Sequence, residues 1–353
     1  MNIFVLNVGS TSTKVALFER TTPVVNETIT YSSEELAHYG ELRDQLSLRE
    51  ADILRFAEKN TISFDEIDMI ISRGGVFKPL IAGAYHINEK MCEDGLSGTY
   101  GIHPASLGPR IALDIAEKHG KPAIIIDPPT TDEFDPLARI SGIPEIERKS
   151  GFHALNQKAA ARRAAAEIGK SYENINLIVA HLGGGITIGA HRRGRVVDCA
   201  HGLSEGPFTP ERAGSLPTTD LVDLALSGTV SQQDIRRKLV GQGGLSAYLG
   251  TSDAVAVERM IAGGNEEARF IYSAMAYQIT KEIGAMTAVL KGDIEAIVLT
   301  GGLAHSQLLT GWISEWVSFI APVVIFPGED EMTAMAEGAL RVLKGKEEIR
   351  IYE

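Results

Sequence analysis

Two glycine-rich turns, each set within a pair of short β-prone runs, constrain this chain more than any other feature. The first is Asn7-Val8-Gly9-Ser10-Thr11-Ser12-Thr13-Lys14, between apolar runs at 3–6 and 15–18. The second is His181-Leu182-Gly183-Gly184-Gly185-Ile186-Thr187-Ile188-Gly189, joining runs at 177–182 and 186–190. Both read as strand, small-residue turn, strand. The same arrangement near the start of each half is what tandem duplication of one fold produces.

The first turn holds one glycine, four hydroxyls and a lysine. Backbone N–H groups, hydroxyls and a cation directed at one spot suit a phosphate chain. A P-loop is a poor match: no second glycine precedes Lys14, the lysine comes one position early, and β-prone Val15-Ala16-Leu17-Phe18 follows where a helix should begin. Taken alone, the segment reads equally as an ordinary polar hairpin. In the second turn three successive glycines let a ligand approach the backbone closely. The spacing does not fit G-x-G-x-x-G and no helix opens after it, so a dinucleotide fingerprint is a poor match. A lone histidine such as His181 is more often a bonded core residue than a ligand, and the adjacent glycine triplet weakens that reading.

Between the turns runs a strand–helix rhythm. A helical polar stretch covers 34–60, a strand 67–71, a helix 107–119, and a strand 123–126 that ends at Asp127-Pro128-Pro129. A second unit opens near Gly151, with a helix over 155–168, strands over 177–182, 186–190 and 195–199, and a long helix over 268–290. A strand over 297–300 runs into Gly301-Gly302, and a strand over 323–326 precedes the last helix, 332–343. The stretch 202–217 is a loop rich in Gly, Pro and Ser, long enough to suggest function.

Composition narrows the partners. The chain has 353 residues, 44% hydrophobic and 23% charged, enough for two domains with buried cores. Its net charge of −12, with no basic block, argues against nucleic acid and anionic membrane surfaces. A phosphate ligand must therefore be held by local features. Two cysteines, Cys92 and Cys199, form no disulfide framework or metal cluster and suit a reducing cytoplasm. The N-terminus has no basic region ahead of a long apolar core, so no signal peptide is expected, and no apolar run nears the roughly 20 residues of a membrane span.

With a third turn, Leu299-Thr300-Gly301-Gly302, the pattern resembles the phosphate 1, phosphate 2 and adenosine elements of the actin/Hsp70/sugar-kinase superfamily across the whole length. Within it, the chain is more closely similar to the acetokinase family. Asn-x-Gly-Ser-x-Ser-x-Lys at 7–14 matches that family's signature, and Gly151-Phe152-His153, His181-Leu182-Gly183 and Phe208-Thr209-Pro210 follow in its order. The butyrate kinase branch resembles it best, through Arg73-Gly74-Gly75, Asn88-Glu89-Lys90-Met91, Asp127-Pro128-Pro129-Thr130-Thr131-Asp132-Glu133 and Pro327-Gly328-Glu329-Asp330-Glu331. Acetate kinases are typically longer.

The resemblance implies an α/β protein of two duplicated actin-like, ribonuclease H-like domains with a cleft between them. Residues 1–150 plus 332–353 would carry the acyl-substrate side, and residues 151–331 the adenosine side and a homodimer interface. It implies phosphorylation of a short-chain carboxylic acid by ATP to an acyl phosphate and ADP, with Mg²⁺, by direct in-line transfer. Butanoate is the expected acid, with acetate, propionate or branched acids as rivals. A rival of another class is a nucleotide-switched binding protein like actin or Hsp70, against which the absence of a large peptide-binding region after residue 331 argues.

Transfer to a carboxylate needs little proton chemistry. It needs two anions aligned and the charge of the transferring group spread. By resemblance, Arg212 is the transition-state arginine, and its planar fork suits phosphoryl oxygens. His153 donates to the transferring phosphoryl. Asn7, Ser10, Thr11, Ser12 and Lys14 hold phosphate from the first turn. His181, Gly183, Gly184 and Gly185 do so from the second, and Gly301 and Gly302 border the adenosine. Asp127 and one acid of Glu329-Asp330-Glu331, expected to be Glu331, serve Mg²⁺, which needs only one or two carboxylates. The acidic triplet reads nearly as well as a solvated helix N-terminus. Acetate kinases carry Arg-x-x-His-Gly-Gly, where this chain has Ile70-Ile71-Ser72-Arg73-Gly74-Gly75, so Arg73 is expected to hold the substrate carboxylate. The acyl pocket maps to Ser72, Ile102, Phe152 and Pro210, with Ser72 leaving room for an alkyl tail. His103 beside Ile102 reads as structural.

Overall fold

The computed structural model describes all residues, Met1–Glu353. Its strands are β1 (Asn2–Val8), β2 (Ser12–Glu19), β3 (Thr22–Thr30), β4 (Met69–Ser72), β5 (Ala84–His86), β6 (Ala123–Ile126), β7 (Asn176–Leu182), β8 (Ile186–Arg192), β9 (Arg195–Cys199), β10 (Ala296–Gly301), β11 (Val323–Pro327) and β12 (Ile349–Ile351). They form two sheets in two compact units: Met1–Asp132 with Asp330–Glu353, and Glu133–Glu329.

The first unit carries a seven-stranded sheet in the order β12-β5-β6-β4-β1-β2-β3. β1, β4 and β6 are parallel, while β1, β2 and β3 run as antiparallel neighbours. The parallel strands are continuous apolar runs because both faces are covered. Helices Leu46–Lys59 and Leu107–His119 supply Ile53, Phe56, Ile111 and Ile115 to one core. Helix Glu331–Leu343 packs across β1, β4 and β6 and buries the small residues Ala334, Ala336, Gly338 and Ala339, which allow close approach.

The second unit carries five strands in the order β11-β10-β7-β8-β9. β7, β10 and β11 are parallel, and β7, β8 and β9 antiparallel. Helix Ala154–Glu167 packs its alanines on β7 and β10, and helix Glu266–Val289 forms a second core with Tyr272, Met275, Ile279 and Ile283. Read from its antiparallel edge, this sheet repeats β3-β2-β1-β4-β6 of the first unit in order and direction. The faint echo between the two turns is thus a duplication of topology.

The unit boundary expected at 150/151 falls instead at 132/133. Residues 133–150 hold to the second unit by specific contacts. Glu133 pairs with Lys158 at 2.8 Å and accepts from the Val196 backbone at 3.0 Å. Arg148 bonds Glu205 and Asp198. Phe134 and Ala138 share an apolar cluster with Phe152, Val196 and Cys199. At the other end Glu331, expected in the second unit, belongs to the first, where it opens the last helix. Strands β3, β5 and β12, which are short or at sheet edges, were not anticipated, nor were the helices at Glu89–Ser97, Thr218–Leu226, Gln232–Leu239, Gly244–Leu249, Ala254–Ala262 and Gln307–Val317.

Candidate active site

In the first unit the turn between β1 and β2 is closed by a Gly9 N–H to Ser12 carbonyl bond of 2.8 Å. Asn7 and Lys14 are cross-strand partners, so their side chains share a sheet face. Asn7 is buried, and its amide donates to Glu331 Oε2 at 2.7 Å. Ser10, Thr11 and Lys14 are exposed, and Ser12 is half-buried.

A residue that sequence reasoning missed supports this turn. Arg49 is fully buried and donates to the Ser10 carbonyl (3.1 Å), the Ser12 carbonyl (3.3 Å) and Thr13 Oγ1 (3.1 Å). Gln45 Oε1 takes two further bonds, and the guanidinium lies 4.6 Å from the centre of the Tyr31 ring. Burial lowers the Arg49 pKa and pushes the Tyr31 phenol up to about 12. A signal existed: Leu46, Arg49, Ile53 and Phe56 recur at apolar-face spacing, which sets a charge where a core residue belongs.

Arg73, just past β4, pairs with Glu331 Oε1 at 3.2 Å. The residue expected to hold substrate and the one expected to serve the metal are therefore partners, and Asn7 occupies the other carboxylate oxygen. Asp127 follows β6 with φ of 41°, is buried, and its Oδ1 accepts from the Gly83 N–H at 2.9 Å. One oxygen of that carboxylate thus orders the backbone at the sheet's carboxyl edge.

Of the four residues expected around the acyl chain, Ser72 and Ile102 lie in the first unit and Phe152 and Pro210 in the second. Ser72 is fully buried and its hydroxyl donates to the Arg73 carbonyl at 3.0 Å. Helix Leu107–His119 comes so close that a Cβ on Gly108 would overlap Ser72 Oγ, so the room beside the small side chain is already filled. Ile102 is 78% exposed. Phe152 packs into the cluster with Phe134 and Cys199, and Pro210 is buried, its carbonyl accepting from Ser246 N at 2.9 Å. His103 caps the Pro104–Ser106 turn through Nδ1, the structural duty expected of it.

In the second unit the glycine triplet, the two histidines and the Phe208-Thr209-Pro210 loop come together. Thr209 Oγ1 donates to the Gly184 carbonyl at 2.7 Å and accepts from the Arg212 N–H at 3.0 Å, which docks the loop on the turn. The Arg212 guanidinium lies over Gly185, where any Cβ would overlap it. It donates from Nη1 to the Gly202 carbonyl at 2.7 Å, while Nε is buried without a hydrogen-bond partner. Burial lowers the Arg212 pKa, and neighbouring Glu211 partly offsets this. A desolvated, partly unsatisfied guanidinium is primed for an anion.

The His153 and His181 rings stack with centroids 3.8 Å apart and planes 15° apart. His181 Nδ1 contacts Asn156 Oδ1 at 2.7 Å and Nε2 contacts Glu329 Oε1 at 3.0 Å. His153 Nδ1 meets Thr187 Oγ1 at 3.0 Å. Gly183 lies against Glu329, so this acid of the triplet, not Glu331, belongs to the second turn. Gly301 ends β10 with φ of 93°, exchanges two backbone bonds with Gly328, and sits so close to the Leu182 backbone that no side chain fits. Gly302 opens the short turn Gly302–His305.

No helix is long and apolar enough to cross a membrane.

The chain is similar to known proteins in sequence and in fold. The acetokinase family's sequence pattern matches residues 144–309. A curated protein named butyrate kinase 2, from Clostridium acetobutylicum, is 47% identical over 352 residues, covering 99% of each chain. An acetate kinase crystal structure from Porphyromonas gingivalis superposes with a TM-score of 0.79 at 19% identity, covering 97% of this chain and 99% of that one. A propionate kinase from Francisella tularensis gives a TM-score of 0.75 at 18% identity, covering 96% and 98%. These two share the fold. Because the match to the clostridial protein spans 99% of each chain at 47% identity, the chain belongs to the acetokinase family.

Proposed function

We propose that this protein phosphorylates the carboxylate of a short-chain fatty acid with ATP, and that butanoate is the preferred acid. The observation that carries the choice is the 47% identity to a butyrate kinase along the entire chain.

The acid is already an anion at neutral pH, so no base is required to make the nucleophile. The work is alignment and charge dispersal. Arg212, desolvated over the glycine triplet with Nε unpartnered, is assigned to the oxygens of the transferring phosphoryl group. His153 donates a second hydrogen bond there. The exposed hydroxyls of Ser10 and Thr11, with Ser12 and Lys14, and the backbone of Gly183, Gly184 and Gly185 are assigned to the ATP phosphates, with His181 holding the second turn. Gly301 and Gly302 are assigned to the adenosine side. Arg73 is assigned to the acid's carboxylate, exchanging Glu331 for substrate. Asp127 and Glu331 are hard oxygen donors of the kind Mg²⁺ takes, and the ion, when bound, offsets phosphate charge. Once Arg73 turned to substrate, Glu331 would keep its bond to Asn7 and free its other oxygen for the ion. A homodimer and a cytoplasmic location complete the reading; the low cysteine count supports the latter.

Acyl hydroxamate formation from ATP and a series of acetate, propionate, butanoate and isobutanoate tests it. Butanoate should give the highest kcat/KM. One methylene is worth about 1–3 kcal/mol, so neighbouring acids should react more slowly but measurably. Preference for acetate would overturn the choice of acid; no hydroxamate with any of them would overturn the activity.

A further inference from the structure

Behind His153 in the second unit lies a line of four side chains at most 3% exposed: Thr187, Gln157, His191 and Tyr172. Each is bonded to the next. His153 Nδ1 meets Thr187 Oγ1 at 3.0 Å, and Gln157 Nε2 meets Thr187 Oγ1 at 2.8 Å and the Thr187 carbonyl at 3.2 Å. Gln157 Oε1 meets His191 Nε2 at 2.9 Å, and His191 Nδ1 meets the Tyr172 hydroxyl at 2.8 Å.

The Thr187 carbonyl sets the direction of the bonds on either side of the Gln157 amide. A carbonyl only accepts, so the Thr187 carbonyl fixes the Gln157 amide with its NH₂ toward Thr187 and its oxygen toward His191. His191 must then donate from Nε2. Burial, with Lys158 and Arg162 nearby, holds its pKa well below the usual histidine value, so Nδ1 is bare and accepts from the Tyr172 hydroxyl. At the other end the Thr187 hydroxyl accepts from Gln157, and His153 Nδ1 is the one acceptor within its reach, so sending its single proton there leaves no buried donor unpaired. The opposite polarity would set the Gln157 amide oxygen against the Thr187 carbonyl, two acceptors facing each other.

We propose that Thr187, Gln157, His191 and Tyr172 form a one-way hydrogen-bond chain that keeps the His153 proton on Nε2, the nitrogen that donates to the transferring phosphoryl group. They are positioning residues, and the inference rests on the assignment of His153 to that group. Gly189 is part of the device, because a Cβ there would overlap Gln157 Oε1.

Long-range ¹H–¹⁵N correlation on the intact protein labelled with ¹⁵N-histidine reads the tautomer directly, with His153→Ala identifying the signals. The expected result is an unprotonated Nδ1 and a protonated Nε2 on His153, with the same pattern on His191. Gln157→Glu, whose carboxylate can only accept, should draw the Thr187 proton away and move the His153 proton to Nδ1. Thr187→Val should lower kcat about tenfold or more with ATP KM little changed, and Thr187→Ser should restore it. A wild-type His153 protonated on Nδ1, or a Thr187→Val enzyme with full kcat, would overturn the chain. Full activity in His153→Ala would instead overturn the assignment of His153, whatever the tautomer. Should a variant fail to fold, the wild-type spectrum still decides.

Discussion

The buried Arg49 guanidinium donates to the Ser10 carbonyl at 3.1 Å from beneath the first glycine turn. The contact places a desolvated cation behind a turn whose exposed side carries hydroxyls. It both rigidifies the turn and adds positive potential where phosphate is expected, and an acidic chain has few other sources of either.

Arg49→Lys tests that support. Lysine is a point charge and cannot span Ser10, Ser12, Thr13 and Gln45 as the planar fork does. Unfolding free energy should drop by about 2–4 kcal/mol, as expected when buried acceptors lose their donor. KM for ATP should rise while KM for the acid stays nearly constant. Denaturant melts and initial rates would read both; an unchanged melt would rule out a structural anchor at Arg49.

Arg212→Ala should lower kcat by about a thousandfold or more with ATP affinity nearly intact, as for an arginine that acts on the transferring group. Gly185→Ala should imitate it in part, because the added methyl group displaces the guanidinium. Single-turnover rates alongside nucleotide titration separate the two quantities. Loss of ATP binding in Arg212→Ala would assign the residue to ground-state binding.

Arg73→Ala should raise KM for the acid about 10- to 100-fold, the worth of a charge-assisted bond, and leave KM for ATP little changed. Glu331→Gln removes the charge that competes for Arg73, so acid binding should persist while dependence on Mg²⁺ concentration steepens. An acid KM that does not move in Arg73→Ala would return the carboxylate to another group.

Stability should fall on the acid side of neutrality. Burial lowers the folded-state pKa of His191 strongly, with Lys158 and Arg162 adding to it, and also lowers those of His103 and His201. For a histidine depressed on folding, both states are neutral at high pH and nothing is lost there. Below the unfolded value of about 6.5 the unfolded chain takes up a proton that the folded one refuses, at a cost approaching about 1.4 kcal/mol per pH unit for each such group. Denaturant midpoints taken from about pH 7.5 to about pH 5.5 should therefore decline, and His191→Gln should flatten the slope even though it lowers the midpoint.

The strand–turn–strand units, most strands and the principal helices were legible in the sequence, because glycine clusters and apolar periodicity are local signals. Ala123–Ile126, Arg195–Cys199 and Leu107–His119 were expected at those very bounds. The motif residues Asn7, His153, His181 and Arg212 stood out through the resemblance of their segments to the acetokinase motifs. Which unit a residue serves was less legible: residues 133–150 and Glu331 changed sides because the Glu133–Lys158 and Arg73–Glu331 pairs join positions far apart in the chain.

By itself, then, the order of residues determined the duplicated α/β pattern, the glycine turns and the family. Only tertiary structure decided what stands behind those turns. Arg49 reads locally as one charge on a helix, Gln157 as one amide among alanines, and Ser72 as a small residue leaving space. Packing made the first an anchor and the second the centre of a directed chain, and Gly108 filled the space beside the third. The physical reason is that a buried polar group takes its meaning from the partners that replace water, and those partners come from elsewhere in the chain.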